Sequence, residues 1–237
     1  FPNNPTGFVP SEEEGQKIVE VLTEAAQSRD LLVVLDDAYF GLVYKEGLLV
    51  ESLFGFLCDA SERLLAVKVD GATKEEFVWG FRCGFLTFGV KGGTDSLYSA
   101  LEKKVAGAIR GCISNVSHVG QSVILRVLQD PQFPTQQQQT REILARRAKK
   151  VEQEVYRSEY KDLWEVYPFG GGYFMTLRLK GLNAEEVRRY LLDRYGLGVI
   201  ATGREDLRVA FSCVPEEKIP DLFKTIARAL RELAGGA

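Results

Sequence analysis

Histidine is almost absent from this chain: His118 is the only one in 237 residues. A three-histidine metal site is thereby excluded, and any Ser/His/Asp or Cys/His catalytic system would have to be built on that one side chain. The four cysteines, Cys58, Cys83, Cys112 and Cys213, are far apart and form no CxxC pair. Neither a zinc site nor a disulfide framework is signalled, and they read as reduced thiols of a cytoplasmic protein. No apolar run approaches the roughly 20 residues that span a bilayer, and no cleavable leader pattern opens the chain, so membrane attachment and secretion find no support. Charge of either sign is also without excess. With 30 basic and 33 acidic residues the formal net charge is −3, which gives no electrostatic reason to expect a nucleic acid or an anionic membrane as partner. A small molecule or another protein is the better expectation. An initiator methionine is missing too: the chain opens Phe1-Pro2-Asn3, inside what reads as a motif. The expectation is a piece of a longer protein that lacks its N-terminal part.

What is present alternates between two periodicities. Ser11 and Glu14 form a capping-box pattern, and Ile18, Leu22 and Ala25 follow at helical spacing. Leu31 to Phe40, "LLVVLDDAYF", is apolar without a break until its aspartates, as suits a strand buried on both faces of a parallel sheet. "LLAVKVD" (64–70) and "GFLTFGV" (84–90) have the same strand character, and helical patterns occupy 97–108 and 118–128. His118 is expected to cap or pack there. The Gln-rich "PQFPTQQQQT" (131–140) precedes a stripe of Leu144, Ala148, Val151 and Val155, which reads as one long connecting helix. Beyond it come "FGGGYFMTLRL" (169–179), a helix near 184–195, strands near 198–201 and 207–211, and a last helix carrying Phe223, Ile226, Leu230 and Leu233. Strands alternating with helices predict an α/β fold.

Three stretches sit at the ends of predicted strands or in turns, where open α/β sheets place ligands. "NNPTG" (3–7) can be a plain surface turn, since Asn-Pro and Thr-Gly are turn formers. Asp36 in "DDAYFG" can merely cap the next element. Lys74, in "TKEEFVWGFRCG" with Arg82 eight residues on, can belong to a solvated face. The ordered set NNPTG, D-x-A-Y, K-x7-R-x-G and, near the end, R-x-A-F-S in "LRVAFSCVPEE" (207–217) is far more specific than any member alone. In that order it resembles the class I/II aminotransferases among the fold-type I pyridoxal-phosphate enzymes, across nearly the whole chain.

That resemblance implies the later part of a mostly parallel-sheet large domain (1–149), including the start of the connecting helix, and a small α+β C-terminal domain (150–237). It implies pyridoxal 5'-phosphate as cofactor, with Lys74 forming the Schiff base and moving protons as base and then acid. Asp36 is then the partner of the pyridine nitrogen, Tyr39 and Asn4 donate to the phenolate oxygen, and Arg82 holds the phosphate bidentately. Arg208, with Asn4, clamps the substrate α-carboxylate. Arg110 resembles a residue that reaches a substrate side-chain carboxylate, although a place at a helix C-terminus explains a basic residue equally well. Many relatives carry a serine three residues before the lysine where this chain has Gly71, so a phosphate-binding hydroxyl has to come from Thr73 or elsewhere. The implied activity is transfer of an amino group from an α-amino acid to a 2-oxo acid in a homodimer, with the chain as given inactive by itself. A cofactor-binding regulator without turnover and a β-lyase of the same fold are the alternatives. No metal is expected.

Overall fold

The computed structural model describes residues 1–235. Among the described residues eight α-helices and seven strands distribute over two compact units, the first made of Phe1, Pro10–Val43 and Gly47–Gln137, the second of Pro2–Val9, Tyr44–Glu46 and the described residues from Gln138 onward.

In the first unit, α1 (Glu12–Ser28) begins with the predicted capping box. The Glu14 N–H donates to Ser11 Oγ at 3.2 Å, and the Ser11 N–H donates to Glu14 Oε2 at 2.8 Å. Two of the four orphan N–H groups of the first turn are satisfied in this way. There follow β1 (Leu31–Asp36), α2 (Leu53–Leu57), β2 (Leu64–Asp70), the one-turn helix α3 (Ala72–Glu75), β3 (Phe85–Gly89), α4 (Asp95–Cys112) and α5 (His118–Leu128). The sheet order is β1-β2-β3. β1 runs parallel to β2 in the register Leu31↔Leu64 to Asp36↔Val69, and β3 returns antiparallel.

One face of this sheet is covered. Val19 and Ala26 of α1 and Leu53 and Leu57 of α2 pack with Leu64 and Ala66, and the Leu31, Val33 and Leu35 row joins them. The opposite row is open, with Leu32 at 66% and Val34 at 58% exposure. This differs from the expectation of burial on both faces, because strand residues alternate between faces and helices pack on only one of them. His118 also departs from expectation. It is exposed at the first position of α5, and the cap is Ser117, whose Oγ accepts the Gly120 N–H at 3.2 Å.

The second unit takes most of α6 (Phe133–Val155), then β4 (Trp164–Val166), β5 (Met175–Leu179), α7 (Ala184–Tyr195), β6 (Ile200–Ala201), β7 (Asp206–Val209) and α8 (Ile219–Gly235). The Gln-rich stretch is helical from its third residue, and the predicted stripe Leu144, Ala148, Val151 and Val155 is the buried one. An antiparallel sheet in the order β4-β5-β7-β6 packs its inner rows, Met175, Leu177, Leu179, Leu207 and Val209, against Phe223, Ile226 and Leu230 of α8. Phe211 and Phe223 are completely buried, each contributing a few kcal/mol of transfer free energy at about 25 cal/mol per Å².

Candidate active site

The carboxyl ends of β1 and β2 put four chemically distinct groups into one neighbourhood. Asp36 closes β1, and one of its carboxylate oxygens accepts the Ala38 N–H at 3.2 Å, an Asx turn that folds the chain back and leaves the carboxyl exposed. That turn delivers Tyr39, which is 8% exposed. Lys74 sits on α3, just beyond the end of β2, with its Nζ 5.1 Å from the centre of the Tyr39 ring. Its amine titrates below the ordinary lysine value. Partial burial is the largest cause and the neighbouring Arg82 charge the second, while Asp36 pulls the other way. A lysine that can lose its proton more readily, beside a carboxylate, a phenol and a guanidinium, is equipped as a nucleophile and a proton carrier.

The segment after α3 is unusual in its backbone. Phe77 and Arg82 both adopt left-handed conformations, with φ of +56° and +53°. The Arg82 side chain is exposed and donates to the Trp79 carbonyl at 3.5 Å. From α6, Gln137 Nε2 donates to Glu76 Oε2 at 2.7 Å and to the Glu75 carbonyl at 3.3 Å, tying down the end of α3. Gly71 explains its own departure from the family pattern: a Cβ there would lie 2.6 Å from the Cys83 carbonyl oxygen and 3.0 Å from Gly84 Cα, so no serine fits. Thr73 is near, but its hydroxyl donates to the Cys83 carbonyl at 3.4 Å.

The second unit holds another cluster. Arg208 projects from β7, and its guanidinium lies 4.1 Å over the Phe174 ring while Nη1 donates to Asn4 Oδ1 at 2.8 Å. A planar cation is fixed by stacking on one side and by a hydrogen bond at its edge, with donors left over for an anion. The Asn4 loop is stitched to the Gly-rich segment: the Gly170 and Gly171 N–H groups donate to the Gly7 carbonyl at 2.9 and 3.1 Å, and Thr176 Oγ1 donates to the Pro5 carbonyl at 2.9 Å. Gly7 has a φ of +75°, and a Cβ on it would meet the Phe174 carbonyl at 2.4 Å, so glycine is required. Phe174 is a residue that sequence reasoning missed. Its signal was an aromatic directly before a strand that pairs with the arginine strand.

Arg110 joins neither cluster. It lies in the last turn of α4 and donates to Ser114 Oγ at 2.7 Å, the helix-terminal placement weighed above. A groove of about 680 Å³ between β3 and α4, lined by Leu86, Phe88, Val105 and Ile109, includes none of Lys74, Asp36, Tyr39 or Arg82. Among the described residues no group of three or more His, Cys, Asp or Glu could hold a metal ion, and no helix is long and apolar enough to cross a membrane.

No curated protein matches the chain. Solved structures do. An aminotransferase from Anaerococcus prevotii superposes with a TM-score of 0.79 at 24% identity, covering 96% of this chain and 54% of that one. The α-aminoadipate aminotransferase of Thermus thermophilus, complexed with N-(5'-phosphopyridoxyl)-L-leucine, gives 0.79 at 23%, covering 100% and 58%. The aromatic aminotransferase of Pyrococcus horikoshii gives 0.73 at 18%, covering 98% and 59%. This chain thus spans a little over half the length of those structures and shares their α/β fold. The model of aminotransferase classes I and II matches residues 1–226, and the chain belongs to that pyridoxal-phosphate-dependent family.

Proposed function

We propose that this chain carries the cofactor-anchoring and carboxylate-binding residues of an enzyme that transfers an amino group from an α-amino acid to a 2-oxo acid. The observation that carries the reading is the Lys74 amine, held below its ordinary pKa beside Arg82, Asp36 and the Tyr39 ring. The donor set fits pyridoxal 5'-phosphate: an amine for its aldehyde, a carboxylate for its ring nitrogen, a phenol for its phenolate and a guanidinium for its phosphate. When bound, the cofactor supplies a carbonyl for the amine and an electron-accepting ring.

Lys74 anchors the group and, once released, moves a proton to and from the substrate Cα. Asp36 holds a proton on the pyridine nitrogen by opposing charge, which a neutral amide could not do as well. Tyr39 donates through its hydroxyl and tunes the ring. Arg82 binds the phosphate, with Thr73 as a further donor if its hydroxyl turns from the Cys83 carbonyl. Arg208 binds the substrate α-carboxylate, oriented by Phe174 and Asn4. The functional division at Lys149, a homodimeric assembly and a cytoplasmic setting belong to the same proposal; the four free cysteines support a reducing compartment.

The test is to incubate the chain with limiting pyridoxal 5'-phosphate, reduce with borohydride and map the label by mass spectrometry. Lys74 should be modified ahead of exposed lysines such as Lys91 and Lys103, and Lys74→Ala should abolish that site. Equal labelling of Lys74 and Lys91 would remove the basis of the reading.

A further inference from the structure

Lys68 has no part in the function just described, yet it is a charged residue in the middle of an apolar strand, with a side chain only 16% exposed. It shares its row with Leu64 and Ala66, on the face covered by α1 and α2, whereas Asp36 belongs to the other row with Leu32 and Val34. A partly buried ammonium in an apolar row calls for compensation, and Lys68 is compensated from two chain segments at once. Its Nζ forms an ion pair with Asp70, stands 4.0 Å from Asp37 Oδ2, and lies 4.5 Å over the Phe40 ring. Asp37 is 3% exposed. Its carboxylate also accepts a hydrogen bond from Ser52 Oγ at 2.5 Å, and its N–H donates to the Val69 carbonyl at 2.9 Å. Asp70 uses its other oxygen to accept the Gly71 N–H at 2.7 Å.

The two segments matter because of what each carries. Asp37 and Phe40 flank the turn that presents Asp36 and Tyr39, and Asp70 with Gly71 leads directly into α3 and Lys74. Backbone pairing between β1 and β2 ends at Asp36↔Val69, and beyond that point the Asp37 N–H bond to Val69 and the Lys68 ammonium join the two segments across the strand ends. A buried ion pair adds little net stability compared with apolar packing, but it fixes which groups meet, because any other arrangement leaves a buried charge unpaired.

We propose that Lys68 is a positioning residue of the candidate site: by joining Asp37 and Phe40 on one segment to Asp70 on the other, it fixes the Lys74 amine relative to Asp36 and Tyr39. This rests on the reading of Lys74 given above, and it assigns Lys68 no contact with cofactor or substrate.

The experiment compares Lys68→Met, Lys68→Arg and Asp70→Asn with the unaltered chain. Each is checked for a native far-ultraviolet circular dichroism spectrum, then labelled with limiting pyridoxal 5'-phosphate and borohydride. The readout is the ratio of label at Lys74 to label at exposed Lys91. A residue that only stabilised the fold would leave this ratio unchanged in folded protein. Lys68→Met should lower it about tenfold, the scale on which misplaced reactive groups lose rate. Lys68→Arg should restore most of the ratio, since a guanidinium fork can reach both carboxylates. Asp70→Asn keeps an acceptor for the Gly71 N–H but removes the charge, and should lower the ratio in the same direction. It decides the matter if Lys68→Met does not fold. Folded variants with the unaltered ratio would overturn the inference and leave the Lys74 reading intact. A ratio near one in the unaltered chain would overturn both.

Discussion

The Lys74 pKa is lowered first by partial burial and then adjusted by two neighbours of opposite sign, each of which can be removed separately. Arg82→Met takes away a cation and should raise the Lys74 pKa toward the ordinary 10.5; Asp36→Asn takes away an anion and should lower it further. Competitive acylation of Lys74 across pH reads both shifts, and a common direction for the two variants would contradict the arrangement. The sign carries over to stability. The folded chain binds fewer protons than the unfolded one between the lowered pKa and 10.5, so this group's contribution to stability grows with rising pH across that window. At this scale the order of motifs singled out Asp36, Tyr39, Lys74 and Arg82, which the structure brings into one neighbourhood, and Arg208, which it places in a second cluster. The contacts that hold them were not legible: Asn4 and Arg208 meet across 204 residues, and Lys68 reaches Asp37 only through strand register.

Secondary elements followed local chemistry where local chemistry was sufficient. The α1 capping box and the α6 stripe depend on spacings of three and four, which any helix realises. The case of β1 is different, since its apolar residues fit burial on both faces and packing by helices comes from distant parts of the chain. α7 gives a clean test of element stability. Asn183 caps it, accepting the Glu185 and Glu186 N–H groups at 3.0 and 3.2 Å, and the helix ends at Gly196 in the left-handed conformation. Asn183→Ala should cost about 1 kcal/mol in chemical denaturation of the second unit. An unchanged midpoint would show that the first turn of α7 is held by its packing alone.

Across the molecule the two units differ in how much apolar surface they enclose. The second unit has one large core running from Ala148 to Leu230, with Phe211 and Phe223 fully buried. The first has a smaller cluster under its sheet, and its α4 contains no buried residue at all. Opening should therefore begin in the first unit: amide hydrogens of β1, β2 and β3 should exchange at lower denaturant than those of β5, β7 and α8. Phe223→Ala, which empties the larger core, should cost roughly 3–5 kcal/mol and narrow that gap. Simultaneous exchange in both units, before and after the substitution, would mean that the cores unfold as one.

Arg82 makes two demands on one position that no single residue meets without cost. A φ of +53° is the conformation glycine accepts freely and a residue with a side chain pays about 1–2 kcal/mol to hold, whereas the guanidinium adds to partial burial in lowering the Lys74 pKa. A library at position 82 sorted only for thermal tolerance would accordingly collect glycine and asparagine, and those clones would hold their shape better while their Lys74 amines reverted toward ordinary lysine behaviour. Durability and reactivity are traded against each other at a single backbone angle.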